Sequence, residues 1–181
     1  MTRRRTVPDR VSWAVDHLDP APDARVLEIG CGPGAAAELL GDRLPHGHLG
    51  AIDRSATAVR RTVERNAGLV ESRRLEVRQA ALADLDLAGA SVDQVLAVDV
   101  NVFWVGDADV ELSIISRVLR PGGTVHLVFG AGGPSGTERI RDAVSGALRR
   151  SGFSAVALTC GQPAFAVCGT RPDDVAGHLA P

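Results

Sequence analysis

The sequence predicts an α/β fold: one doubly wound, seven-stranded sheet covered by helices on both faces. Three observations predict it. Short apolar strands alternate with helical stretches, as parallel crossovers require. The first strand, Val26 to Ile29, runs straight into a turn containing Gly30, Gly32 and Gly34. Only Cys160 to Pro163 separate the last two strands, too few residues for a parallel crossover, so that pair is an antiparallel hairpin.

The elements follow from local pattern. Pro8 to Leu18 reads as a helix with Val11, Ala14, Val15 and Leu18 at helical spacing, ended by Pro20 and Pro22. Strand one is Arg25–Ile29, followed by a helix from about Ala35 to Leu44 and strand two at His48–Ile52. Ser55 caps a helix whose apolar face is Ala56, Val59, Val63 and Ala67, with Gly68 as its stop. Strand three is Leu75–Ala80, and strand four is Gln94–Val98. A helix over Asp109–Leu119 is expected to bury Val110, Ile114, Ile115 and Val118, and to break at Arg120-Pro121-Gly122-Gly123. Strand five is Thr124–Phe129. The last helix, Thr137–Arg150, carries Ile140, Val144 and Leu148 on one face, and strands Ser154–Thr159 and Ala164–Thr170 complete the sheet.

Composition narrows the chemistry. The chain has 181 residues, 45% hydrophobic and 23% charged, with a formal net charge of −2. That is the size of one globular domain, with no bulk charge to attract nucleic acid. Every basic residue is Arg; without Lys or Tyr, Schiff-base lysine, phosphate-loop lysine and tyrosine acid–base chemistry are excluded. Cys31, Cys160 and Cys168 are odd in number and widely spaced, so neither a disulfide framework nor a metal site is indicated. No apolar run is long enough for a membrane span and the start of the chain lacks a leader pattern, which places the chain in the cytoplasm. Arg3, Arg4 and Arg5 read as a solvated tail or an anion-binding cluster.

The site is read from strand ends. Small residues at Gly30, Gly32 and Gly34 let the backbone turn sharply and approach a ligand. Asp53, at the end of the second strand, is suited to accept from two ribose hydroxyls. A nucleoside site on a doubly wound sheet follows. Gly30, Gly32 and Ala35 also satisfy a loose dinucleotide pattern, but Glu28 would repel a pyrophosphate there, whereas a cationic ligand would use its charge.

The four stretches VLEIGCGPG, LGAIDRS, SVDQVLAV and RVLRPGGTVHLVF, in this order and spacing, resemble the class I S-adenosylmethionine-dependent methyltransferases, in their small stand-alone form. The resemblance covers about Pro8 to Thr170. It implies sheet order 3-2-1-4-5-7-6 with strand seven antiparallel. It implies an amino-terminal arm or cap helix over residues 1–22, a cofactor-binding methyltransferase domain over 23–170 and a tail over 171–181. S-adenosylmethionine is the implied cofactor, held by Glu28, Gly30, Cys31, Gly32, Gly34, Asp53, Arg54, Ala81, Leu82 and Val98. The family's acid after strand three is absent, its place taken by Ala81, with Asp84 nearby. At the end of strand four, Asp99 is the candidate base or orienting carboxylate; alternatively it fixes the loop backbone. Asn101, Trp104, Trp13 and His17 are candidates for the acceptor side; alternatively Phe103 and Trp104 pack over the strand edge. His126, within strand five, reads as a core histidine. A small-molecule methyl acceptor is expected, with neither membrane nor nucleic-acid partner, and an open site that accepts something large, is closed by a homodimer partner or binds a small molecule loosely. The alternative readings are a cofactor-binding module without catalysis and a nicotinamide-dinucleotide domain.

Overall fold

The computed structural model describes residues 6–130 and 136–173; the arginine cluster Arg3 to Arg5, most of the Gly130–Gly136 loop and the end of the carboxy-terminal tail lie outside them. The strands are β1 (Arg25–Ile29), β2 (His48–Asp53), β3 (Leu75–Gln79), β4 (Val92–Val98), β5 (Leu119–Gly130), β6 (Ser154–Cys160) and β7 (Ala164–Thr170). They form one sheet in the order β3-β2-β1-β4-β5-β7-β6. Strands β1 to β5 pair in parallel, and β7 is antiparallel to both β5 and β6. The short link at Cys160–Pro163 thus forces the reversal that the sequence predicts.

Period-two alternation divides the core between the two faces of the sheet. Leu27 and Ile29 of β1, Val95 and Ala97 of β4, and Val125, Leu127 and Phe129 of β5 belong to one apolar cluster. Helices α6 (Asp109–Val118) and α7 (Thr137–Arg150) cover it, through Leu112, Ile115, Val144 and Leu148. Val26, Leu49, Ala51, Leu96 and Val128 face the other way, toward α1 (Asp9–Leu18) and α2 (Ala35–Arg43). The segment expected as an arm or cap thus buries Ala14, Val15 and Leu18 in this second cluster.

Four sequence expectations need correction. In α6 the buried side chains are Leu112, Ile115 and Val118, while Val110 is 61% exposed. The face is set by Ala108, Leu112, Ile115 and Leu119, which continue into β5, so Val110 falls on the solvent side. Helix α3 (Ala56–Arg65) buries Thr62, not an apolar stripe, because its inner face packs on the polar backbone of the glycine turn. It breaks at Asn66, and Gly68 lies inside the next short helix, α4 (Ala67–Glu71), instead of stopping the first. The Pro121-Gly122-Gly123 stretch does not precede β5 but is part of it: Arg171 accepts from Gly122 and donates to Gly123, pairing the irregular stretch across the sheet. A 3₁₀ turn at Leu82–Asp84 and the one-turn helix α5 (Val102–Val105) were not legible in the apolar pattern.

Helix α6 supplies a test of this packing. Leu112→Ala should cost about 2–5 kcal/mol in chemical denaturation, as for a fully buried leucine. Val110→Ser should stay within about 0.5 kcal/mol of the parent.

Candidate functional site

The carboxyl ends of β1, β2 and β4 open into a cleft of about 330 Å³, where open α/β sheets bind ligands. Ile29, Gly30, Ile52, Asp53, Arg54, Ala81, Leu82, Val98, Asp99 and Asn101 all line it. The predicted cofactor residues Glu28, Cys31, Gly32 and Gly34 are not in the lining, whereas Ala80, Ala83, Val100, Val102 and Glu111, which sequence reasoning did not assign to the site, are. Val100 and Val102 sit beside the strand-four residues already singled out; Glu111 comes from α6 and carries no local signal.

Asp53 ties the floor of the cleft together. Its Oδ2 accepts from the Gly32 amide at 2.9 Å, and its Oδ1 from the Ser55 amide at 2.8 Å. The other amides of the turn are also committed. Gly30 and Cys31 both donate to the Ile52 carbonyl, Gly34 donates to the Cys31 carbonyl, and Pro33 has no N–H. The turn therefore offers no spare donors to a phosphate, the reverse of a phosphate-binding glycine loop.

Helix α3 holds the turn from outside. The Thr62 hydroxyl donates to the Gly32 carbonyl at 2.9 Å, and the Asn66 amide donates to the Gly34 carbonyl at 3.1 Å. The glycines differ in what they do. Gly34, at φ +78, is packed so tightly that an added Cβ would lie 2.6 Å from Asn66 Nδ2 and 2.9 Å from Thr62 Cα. Gly32, at φ +53, faces open space. Gly34 is fixed by the packing of the protein, whereas Gly32 borders open space. The Cys31 side chain is buried beside Thr62, and burial pushes its thiol up to about 12.

Glu28 lies on β1, two residues before the glycine turn and outside the lining of the cleft. It is 4% exposed in the middle of the sheet. Its Oε2 has no hydrogen-bond partner among the described residues. Burial, with the Asp53 charge as the second cause, pushes its carboxyl up from 4.5 to about 8. A buried, unpartnered carboxyl oxygen is costly and is relieved by a cationic partner.

At the end of β4, Asp99 adopts φ +56, a left-handed conformation that Asp tolerates better than most residues. Its Oδ2 accepts from Arg10 Nε at 2.5 Å and its Oδ1 from the Gly130 amide at 3.0 Å. Asn101 is exposed at the cleft, whereas Trp104 is half-buried against the core beside the fully buried Phe103. Trp13 and His17 stack on each other at 5.1 Å on α1, and the structure does not bring them into the lining of the cleft. From α1 it is Arg10, not Trp13 or His17, that reaches the end of β4.

A family model described as a methyltransferase domain matches residues 26–123. The chain is 34% identical over 148 residues to a malonyl-[acyl-carrier protein] O-methyltransferase of Laribacter hongkongensis (strain HLHK9), covering 79% of this chain and 48% of that protein. It is 30% identical over 115 residues to an O-methyltransferase of Pyrenophora dematioidea, covering 62% of this chain and 42% of that protein. The chain thus spans about half the length of the curated relatives it matches. Among solved structures, a SAM-dependent methyltransferase from Aquifex aeolicus superimposes with a TM-score of 0.74 at 18% identity, over 91% of this chain and 90% of that one. A geranyl diphosphate C-methyltransferase from Streptomyces coelicolor A3(2) gives 0.71 at 16% identity, over 90% of this chain and 79% of that one. These structural likenesses show the fold. No helix among the described residues is long and apolar enough to cross a membrane.

Two predictions follow from the turn and its acid. The folded chain holds the Glu28 proton up to about pH 8, whereas an unfolded carboxyl releases it near 4.5. Unfolding therefore releases a proton between these values, and stability falls as pH rises through the window. Glu28→Gln should leave the ligand-free melting temperature nearly unchanged at pH 5 and raise it above pH 8, by the equivalent of about 1–4 kcal/mol. In the turn, Gly34→Ala should lower the melting temperature sharply. Gly32→Ala should fold with a loss of about 1–2 kcal/mol for its backbone conformation and lose most ligand affinity.

Proposed function

This chain belongs to the class I S-adenosylmethionine-dependent methyltransferases, and we propose that it transfers a methyl group to an oxygen of a small organic acceptor. One observation carries the reading: a nucleoside-sized cleft whose glycine turn has no spare amide donors and stands beside a buried, unpartnered carboxyl. Such a turn suits a cationic, phosphate-free nucleoside. S-adenosylmethionine has that chemistry, with its sulfonium, its α-ammonium and no phosphate.

The residues present fit it. Asp53, held rigid by two amides, presents its remaining lone pairs to vicinal hydroxyls. Glu28 supplies negative charge for the amino-acid end, and its carboxyl ionises as the cation arrives. Leu82 and Val98 offer apolar surface to a flat ring. Ala81 offers no carboxylate to an adenine amino group, so recognition of that edge falls to backbone and to Glu111 across the cleft. When bound, the cofactor would supply an electrophilic methyl group on a cationic sulfonium, whose leaving group is a neutral thioether.

The protein's contribution to that step is alignment. Both Asp99 oxygens already accept hydrogen bonds, from Arg10 and Gly130. Asp99 therefore acts as an orienting carboxylate that fixes the β4 end, where Asn101 meets the acceptor. An oxygen acceptor is supported by the curated relatives, whose names give O-methyl transfer.

Calorimetry and labelled-methyl transfer to a panel of carboxylic acids and phenols test the proposal. S-adenosylmethionine and S-adenosylhomocysteine should bind, with little response to NAD. Asp53→Ala should weaken cofactor binding by about 1–3 kcal/mol. Asp99→Asn should leave cofactor binding within about twofold and reduce turnover by about tenfold, below the 10²-fold or more expected on losing a general base. Cofactor binding without transfer to any acceptor would instead identify a binding module.

A further inference from the structure

Away from the cleft, α1, β5 and β7 bring together three donors that are distant in sequence: His17, His126 and Cys168. Cys168 Sγ lies 3.5 Å from His17 Nε2 and 3.4 Å from His126 Nδ1, and the three donor atoms all fall within 4.8 Å of one another. An ion about 2.3 Å from sulfur and about 2.0 Å from nitrogen, at a near-tetrahedral angle, separates sulfur from nitrogen by roughly 3.5 Å. Both S···N distances match that span.

The surroundings orient the donors. His126 Nε2 lies 3.1 Å from Thr124 Oγ1, which leaves Nδ1 toward the sulfur; a hydrogen-bonded distal nitrogen is the usual companion of a metal-bound imidazole. His17 is stacked on Trp13 with the ring planes 13° apart. Trp13 in turn sits over the β6–β7 link, where a Cβ on Gly161 would come within 2.9 Å of the indole nitrogen. Neither histidine is used by the cleft.

We propose that His17, His126 and Cys168 form a zinc-class metal site, with two imidazole nitrogens and one thiolate as ligands and a fourth position open to water or a small ligand. A donor set of nitrogen and sulfur without carboxylate selects a soft or borderline ion over magnesium, calcium or manganese. On binding, the thiol S–H bond is replaced by a sulfur–metal bond and its proton passes to solvent. The ion clasps α1 to the β5–β7 pair. The same helix carries Arg10, two turns earlier, whose guanidinium holds Asp99 at the end of β4. The site therefore anchors the helix that braces the cleft, whatever the acceptor is.

The experiment uses the full chain without an affinity tag, stripped by a chelator and titrated with Zn²⁺ by calorimetry and with Co²⁺ by absorption. One ion per chain is expected, with low-micromolar or tighter affinity, release of protons and a higher melting temperature. Co²⁺ should give a thiolate charge-transfer band and the intense visible bands of a tetrahedral site. Cys168→Ser should abolish the charge-transfer band, and His17→Gln, on a half-buried helix position that the fold tolerates, should weaken binding at least about tenfold. Cys160→Ser, at the exposed cysteine, should change neither. Absence of stoichiometric binding, a Co²⁺ spectrum without thiolate character, or binding that survives both His17→Gln and Cys168→Ser would overturn the proposal.

Discussion

The Asp53 carboxylate joins two turns that the chain would otherwise leave independent. It takes the Gly32 amide from the turn after β1 and the Ser55 amide from the start of α3. Each bond alone is worth about 1.5–3 kcal/mol, as charge-assisted bonds to backbone amides are. Together they fix where β1 and β2 stop, and so where the cleft floor lies. Thr62 and Asn66 then clamp the carbonyls of the same turn from α3. That clamp explains an otherwise odd helix whose buried positions are polar. A purely apolar face on α3 would have left the Gly32 carbonyl without the Thr62 donor, a penalty of about 1–3 kcal/mol, while the Gly34 carbonyl would keep only the Glu38 amide.

The consequence is a turn whose hydrogen-bonding capacity is spent inside the protein. A dinucleotide site keeps its glycine-loop amides free and its helix start open to phosphate. Here the amides of Gly30, Cys31, Gly32 and Gly34 are occupied, and the charge nearest the turn is negative. Burial, and after it the Asp53 charge, raises the cost of ionising Glu28. The ligand-free protein thus stores an unfavourable carboxyl that a cation relieves.

Helix α1 has a second organising role. Its apolar side fills the core through Ala14, Val15 and Leu18, and its two ends do different work. Arg10 reaches Asp99 beside the cleft, and His17 meets His126 and Cys168 deeper along β5 and β7. Because a helix is stiff over two turns, what holds one end constrains the other.

Local pattern in the sequence determined the sheet. Apolar strands of four to seven residues alternating with helices leave few topologies, and a four-residue link between the last two permits only reversal. The same pattern located the glycine turn and Asp53, because strand ends are marked by glycine and acid in neighbouring positions. Local pattern failed where an element's neighbour was not another apolar face. Val59 and Val63 suggested an apolar stripe on α3, but the polar turn beneath it demanded Thr62 and Asn66. Val110 fitted a helical period, yet Leu112 won the core because β5 continues its line. Glu111 in the cleft and Arg10 on Asp99 were beyond reach for a different reason: 89 residues separate the Arg10–Asp99 pair. The three donors at positions 17, 126 and 168 look like a helix histidine, a core histidine and a stray cysteine in the linear chain. Only the antiparallel register of β5 with β7, which sets His126 opposite Cys168, and the packing of α1 across them make a cluster. Spacing along a chain reports what is near within one element; what different elements place side by side is decided by the sheet.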